Sequence, residues 1–194
     1  ADNPKINEIV MQVTGKITPE STVSEVARKL YDYTSTNLIY DQSRVKPDLT
    51  RFGAVKALEN NERAVCMEFA DLLVTLLRSA GIPAQVLEGY AYTKDEGSRP
   101  AIGDVLHSWV RLYLPRLGWV AVDPTWGNTT GGLDYFSHLD TNHFVFAIKG
   151  QDSETPYPAG AYKISPDQVG DINVEVIKDL TDLEILSVIS GTTI

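Results

Sequence analysis

The chain has 194 residues, enough for one domain with a buried core, and 26 acidic residues against 17 basic ones give it a formal net charge of −9. This acidic balance argues against nucleic acid as a partner, because binding to phosphate backbones selects basic surfaces. No apolar run approaches the roughly 20 residues that span a bilayer, so we predict no transmembrane segment. The first residue is Ala rather than Met, which favours a processed protein or a domain of a larger one. The compartment is left open, with an extracytoplasmic domain as one alternative.

The chain contains a single cysteine, Cys66. An intrachain disulfide, a Cys-rich zinc site and a CxxC redox pair are therefore excluded. A lone thiol in a globular chain is either an inert buried side chain or a reactive nucleophile. The residues around Cys66 decide between these two interpretations.

Helical patterns come first along the chain. Thr22 and Glu25 have the T-x-x-E spacing of a capping box, and apolar residues follow at helical spacing, which predicts a helix over 23–36. A shorter helical pattern covers 52–58 and ends in the turn-like ENNERAV. The first 20 residues carry no clear pattern and are treated as an N-terminal extension.

A further helix is predicted to begin at Cys66, because CMEFADLLVTLLRSAG carries a broad apolar face. Gly81 suits a left-handed C-terminal cap and Pro83 prevents continuation. Cys66 therefore stands at a helix N-terminus, where unpaired backbone N–H groups and the helix dipole favour the nucleophilic thiolate. The same N–H groups can donate to an oxyanion, and Tyr40 is a candidate for a second donor.

Strand patterns follow the helices, which is typical of an α+β domain. The predicted strands are 84–92, 105–113, 119–124 and 143–148, with weaker patterns at VEVI and EILSVI. The second and third, joined by LPRLG, are predicted to form an antiparallel hairpin. We therefore divide the chain into the extension, 1–20, a core, 21–150, and C-terminal strands, 151–194, that complete the sheet or lead to a further module.

The hairpin is predicted to bring His107 and Asp123 together. A three-residue loop pairs position 107 with 123, and a five-residue loop makes the two diagonal neighbours on one face. An aspartate beside a histidine fixes the ring tautomer and stabilises the imidazolium that forms when a thiol gives up its proton. The alternative is an ordinary polar pair on a half-buried strand.

Three segments together resemble the transglutaminase-like superfamily: Cys66 in VCMEFADLLVTLLRSAGIP, His107 in LHSWV and Asp123 in AVDPTWG. The resemblance covers roughly residues 20–150, and Ala64 departs from it by standing where many members have Gly. It implies a papain-like α+β architecture, with N-terminal helices and the nucleophile helix packed on an antiparallel sheet. It also implies that Cys66, His107 and Asp123 form a catalytic triad.

The resemblance implies a thiol enzyme that cleaves or transfers acyl groups from amide bonds of a protein or peptide substrate, without a cofactor. Water as acceptor would make it a cysteine peptidase or amidase, which we favour by analogy with small relatives, and an amine would make it a protein-glutamine acyltransferase. One alternative is an arylamine N-acetyltransferase-like acyltransferase, although the chain shows no basic cluster suited to the phosphates of CoA. Another is a catalytically idle binding or assembly module of a larger protein.

Two further histidines, His138 and His143, lie near Asp134 and Asp140 in the sequence. Their spacing matches no familiar metal site, so we predict no bound metal. His143 precedes the apolar run HFVFAI and is expected at the edge of the sheet.

Two other residues have a packing interpretation and a functional one. Trp126 follows Asp123 closely and is the tryptophan best placed to touch substrate, but packing is the favoured role. Glu68 is interpreted as a carboxylate in the first turn of its helix, where it complements the dipole.

Overall fold

The structure is a computed structural model and describes residues 3–18, 20–45, 49–92 and 106–149. It has the predicted α+β class, with helices against one antiparallel sheet. The helices are α1 (Pro4–Thr14), α2 (Val23–Asn37), α3 (Gly53–Glu59), α4 (Cys66–Ser79) and α5 (Pro124–Thr129), and the strands are β1 (Ala84–Ala91), β2 (Leu106–Leu114), β3 (Gly118–Val122) and β4 (His143–Ile148). In these ranges no helix is long and apolar enough to cross a bilayer. The predicted strands VEVI and EILSVI lie outside the described residues.

The helix starts follow from local hydrogen bonding. The Thr22 hydroxyl accepts from the Glu25 N–H at 3.2 Å, and the Glu25 carboxylate accepts from the Thr22 N–H at 3.0 Å, so the predicted capping box is confirmed. Helix α1 was not predicted. Its start follows the same logic, because the Asn3 side chain accepts from the Lys5 N–H at 3.0 Å and Pro4 stands at the first helical position.

Helix α4 is the centre of the hydrophobic core. Its apolar face is fully buried and includes Phe69, Leu72, Leu73, Leu76 and Leu77. Helices α1 and α2 pack on it, and the sheet covers it through β1 and β2. Because each such leucine contributes about 1.5–3 kcal/mol on burial, this packing holds the N-terminus of α4 firmly against the sheet.

The sheet has the strand order β3-β2-β1-β4, and every neighbouring pair is antiparallel. The predicted hairpin of β2 and β3 is confirmed, and Tyr113 pairs with Trp119. Of the two registers considered, this is the one that makes His107 and Asp123 diagonal neighbours. Among the described residues, strand β4 lies at one edge of the sheet, and a bulge falls between Glu88 and Gly89 of β1 where the two strands pair.

Candidate active site

Cys66 is the first residue of α4, as predicted, and its side chain is nearly buried, at 8% exposure. A short parallel bridge between Tyr40 and Ala64 fixes the chain before it, with the Asp41 N–H donating to the Ala64 carbonyl at 2.8 Å. The backbone of Ala64 is extended, with φ −84° and ψ 147°. Any L-residue adopts this conformation, so alanine in place of glycine introduces no strain here.

Glu68 does more than complement the helix dipole. It is fully buried, and its carboxylate accepts from the Val65 N–H at 3.0 Å, from the Phe52 N–H at 2.8 Å and from the Arg44 guanidinium at 3.0 Å. A buried charge is tolerated when it is paired and hydrogen-bonded in this way. Glu68 therefore ties two preceding segments to the turn that presents Cys66.

His107 and Asp123 lie within hydrogen-bond reach, as predicted, with 2.7 Å between His107 Nε2 and Asp123 Oδ2. Both side chains are buried. Asp123 does not belong to the strand as expected, because β3 ends at Val122. It is the N-cap of α5, and its Oδ1 accepts from the Thr125 N–H at 2.9 Å and the Trp126 N–H at 3.1 Å. The Asp-Pro step was the available signal for a helix start.

Helix α2 also supports Asp123, through a residue that the sequence did not indicate. The Tyr31 hydroxyl donates to the Asp123 backbone carbonyl at 3.0 Å. Gly127 makes room for this contact, since a Cβ there would lie 2.2 Å from the Tyr31 hydroxyl oxygen. The backbone of Asp123 is thereby fixed as well as its side chain.

The electrostatics of the site couple Asp123, His107 and Cys66. Burial acts to lower the pKa of His107, but the charge and hydrogen bond of Asp123, followed by those of Cys66, raise it to about 10. Burial acts to raise the pKa of Asp123, yet the charge and hydrogen bond of His107 and the hydrogen bond of His143 hold it well below its ordinary value. Because Nε2 of His107 is engaged with Asp123, Nδ1 is left for the thiol. The arrangement can take a proton from a thiol and stabilise the resulting imidazolium.

His143 begins the edge strand β4, as predicted, and it also reaches the site, which was not predicted. Its side chain is 1% exposed, with Nε2 3.1 Å from Asp123 Oδ2 and Nδ1 2.8 Å from Asp140 Oδ1. His138 is exposed and lies outside this cluster. Possible metal-ligand atoms of His107, Asp123 and His143, one from each side chain, lie within 4.8 Å of one another.

Aromatic rings enclose the histidines. Trp126 is 8% exposed, and its ring centroid lies 4.5 Å from that of His143 and 5.6 Å from that of His107. Trp109 is fully buried and stacks on His107 at 5.8 Å. This burial places Trp126 in the hydrophobic core, in agreement with the favoured packing role. The rings exclude water from the face of the His107–Asp123 pair that they cover, which strengthens its electrostatic interaction.

Tyr40, the candidate oxyanion donor, packs against the small apolar cluster of Val65, Cys66 and Met67. Burial raises the pKa of Tyr40 above its ordinary value. The hydroxyl therefore stays protonated and can donate a hydrogen bond.

Comparison with known proteins identifies sequence relatives. Residues 8–124 match the model of the Transglutaminase-like superfamily. The chain is 42% identical over 71 residues to the uncharacterized protein YebA of Bacillus subtilis, covering 33% of this chain and 10% of that protein. It is 37% identical over 68 residues to a protein-glutamine gamma-glutamyltransferase of Pseudomonas aeruginosa, covering 31% and 10%. Against the uncharacterized protein Rv2569c of Mycobacterium tuberculosis it is 27% identical over 183 residues, covering 90% and 54%. The chain thus spans about half the length of these relatives or less.

Two solved structures are similar over part of the chain. A cysteine protease, described as putative, from Cytophaga hutchinsonii has 23% identity and a TM-score of 0.47, covering 62% of this chain and 37% of that one. The periplasmic domain of TgpA from Pseudomonas aeruginosa has 23% identity and a TM-score of 0.47, covering 65% and 43%.

Proposed function

Because the chain belongs to the transglutaminase-like superfamily, we propose that Cys66, His107 and Asp123 form the catalytic triad of a thiol enzyme acting on amide bonds. The observation that carries the proposal is the buried His107, which is held at 2.7 Å by Asp123 and whose pKa is raised further by its interaction with Cys66 at the start of α4. A nucleophile, a base and an orienting group in this order are what acyl transfer through a thioester requires.

The proposed reaction has two halves. The Cys66 thiolate attacks the amide carbonyl, and formation of the C–S bond gives a tetrahedral oxyanion. This intermediate collapses to the thioester as the C–N bond breaks and the His107 imidazolium protonates the leaving nitrogen. In the second half His107 takes a proton from the acceptor, the acceptor attacks the thioester, and the Cys66 thiolate leaves. Asp123 stays ionised throughout and holds the ring of His107 in place.

The oxyanion of each tetrahedral intermediate needs hydrogen-bond donors. The first backbone N–H groups of a helix have no acceptor within the helix. The N–H of Cys66 is the first of these groups in α4. The second proposed donor is the hydroxyl of Tyr40, whose side chain packs against the cluster that contains Cys66 and which is kept protonated by burial.

Water is the favoured acceptor, which makes the protein a cysteine peptidase or amidase. Transfer to an amine is the second candidate, because the relative with 37% identity over 68 residues is named a protein-glutamine gamma-glutamyltransferase. Both reactions share the first half and the same thioester. They differ only in what attacks it.

The test uses the purified chain with a panel of peptides, glutamine-containing peptides and peptidoglycan-type amides. We expect amine or ammonia release from one class, and loss of that release in Cys66→Ala with the fold retained. His138→Phe is the matched control, because His138 is exposed and should leave the rate unchanged. Incorporation of a labelled primary amine in place of hydrolysis would select the transferase.

Of three further outcomes, two would select other functions and one would contradict the proposal. Acetylation of Cys66 by acetyl-CoA, detected by intact mass, would select the N-acetyltransferase-like alternative. Turnover that persists in Cys66→Ala would contradict the proposal. A Cys66 that reacts with none of the amides or their electrophilic mimics would favour the binding module.

A further inference from the structure

One carboxylate in the site serves two imidazoles. Asp123 Oδ2 lies 2.7 Å from His107 Nε2 and 3.1 Å from His143 Nε2, while Oδ1 accepts from two backbone N–H groups of α5. A carboxylate has about four acceptor sites, so four donors leave little freedom to rotate. A triad needs only one of these two imidazoles, and the second requires its own explanation.

His143 is itself held from several sides. Its Nδ1 lies 2.8 Å from Asp140 Oδ1, and its ring packs against Trp126 at 4.5 Å and Trp109 at 5.1 Å between centroids. Its side chain is 1% exposed. Both ring nitrogens therefore face carboxylates, and packing rather than solvent fixes the ring plane.

The position of His143 depends on how closely β4 approaches β1. A Cβ on Gly89 would lie 1.9 Å from the carbonyl oxygen of Phe144, the residue after His143. Only glycine at this point of β1 lets the edge strand come near enough for His143 to reach Asp123. The contact is thus built into the sheet.

We propose that His143 is a positioning residue that orients Asp123 toward His107 and is itself oriented by Asp140. The groups then form a continuous series from Asp140 through His143, Asp123 and His107 to Cys66. His143 touches neither the thiol nor the substrate in this account, and acts only through the carboxylate. The inference rests on the proposed function for its effect on rate, but not for its effect on the His107–Asp123 hydrogen bond.

The test compares His143→Phe, which keeps a ring but removes both ring nitrogens, with His143→Gln, whose amide nitrogen can replace Nε2 as the donor. We expect His143→Phe to lower kcat by about 10–100-fold with KM little changed, as for loss of other groups that orient a functional side chain. His143→Gln should restore most of the rate. His138→Phe is the matched control and should behave as the parent does.

A double-mutant cycle separates positioning from a general structural role. If His143 acts through Asp123, then His143→Phe should lower kcat little further in an Asp123→Asn background, because the carboxylate that His143 orients is gone. An equal fold loss in both backgrounds would overturn the proposal. Equal rates for His143→Phe and the parent would overturn it too.

A measurement without turnover keeps the inference separate from the proposed function. The ring N–H of His107 that faces Asp123 should exchange slowly with water in ¹⁵N-histidine-labelled parent, and faster in His143→Phe but not in His143→Gln. An unchanged exchange rate in His143→Phe would overturn the inference, even if no substrate were ever turned over. Failure of Cys66→Ala to abolish turnover would instead overturn the triad and leave this measurement standing.

Discussion

At the residue scale, Asp123 combines two roles that are usually met separately. Its Oδ1 caps α5, while its Oδ2 faces the two histidines. Backbone N–H donors and imidazoles both favour the charged carboxylate, which explains why a fully buried aspartate keeps a pKa below its ordinary value. The cap fixes the rotamer, and the rotamer aims the second oxygen.

A prediction at this scale concerns Tyr40. If its hydroxyl donates to the oxyanion, Tyr40→Phe should lower kcat by about 10²–10³-fold, the usual effect of losing one such donor. Alkylation of Cys66 by iodoacetamide should be unchanged, since that reaction forms no tetrahedral oxyanion. Steady-state kinetics and alkylation rates of the parent and the variant check this.

The turnover rate and the alkylation rate of Tyr40→Phe serve as controls for each other. A fall in both rates would mean that the hydroxyl acts on the thiol instead, and no fall in either would remove Tyr40 from the oxyanion site.

At the scale of elements, the site is assembled where α4, the β2–β3 hairpin and the edge strand β4 meet. Helix α4 supplies the thiol at its N-terminus, and the core contacts of its apolar face hold it against the sheet. Strand β2 supplies His107, the junction between β3 and α5 supplies Asp123, and β4 supplies His143. Each element contributes a residue at or next to its end, so a small shift of one element changes the distances between the site residues.

The approach of β4 to β1 gives the prediction at this scale. Gly89→Ala places a methyl group 1.9 Å from the Phe144 carbonyl oxygen. We expect a loss of about 1–3 kcal/mol in the free energy of unfolding, typical of overpacking, together with a lower kcat as His143 moves from Asp123. Urea unfolding and steady-state kinetics measure the two effects.

Val145→Ala is the matched control for Gly89→Ala. It lies on the same edge strand with 47% exposure, so its unfolding free energy should change by less than about 0.5 kcal/mol. A Gly89→Ala protein as stable and active as the parent would show that β4 tolerates displacement.

At the scale of the whole molecule, the buried His107–Asp123 pair makes stability depend on pH. The folded-state pKa of His107 is raised to about 10 from an ordinary value of 6.5. A raised pKa contributes stability that is complete below the unfolded value and is lost as pH rises through the folded value. The Asp123 pKa is lowered, so its contribution is present above an unfolded value of 3.8 and is lost as pH falls further, through the folded value.

We therefore expect the Tm of the parent to fall between pH 6.5 and 10, at constant ionic strength. The Tm of His107→Gln should be lower than that of the parent at pH 6.5. The difference between the two Tm values should narrow toward pH 10, because the parent loses the stabilising contribution that the variant lacks. The range stops there because burial raises the pKa of Tyr135 to about 12, and tyrosines of the unfolded chain begin to titrate near 10. A constant difference across the range would show that the charge on His107 does not contribute.

The sequence by itself determined those features that depend on neighbours along the chain. The start of α2 followed from Thr22 and Glu25, and the start of α4 at Cys66 followed from an apolar face that ends at a Gly-Ile-Pro turn. Strand parity was enough to bring His107 and Asp123 to one face in either register considered. Local hydrogen bonds and periodicity decide such features.

Only the tertiary structure decided what reaches the site from afar. His143 meets Asp123 because β4 pairs with β1 at a glycine, and Tyr31 reaches the Asp123 carbonyl because α2 crosses a second glycine in α5. The Arg44–Glu68 ion pair likewise joins residues 24 positions apart. These contacts depend on the packing of whole elements, and packing distance leaves no periodic signal in one sequence. The residues proposed for the site could therefore be picked out from sequence motifs, whereas the contacts that hold them in place depend on the whole fold.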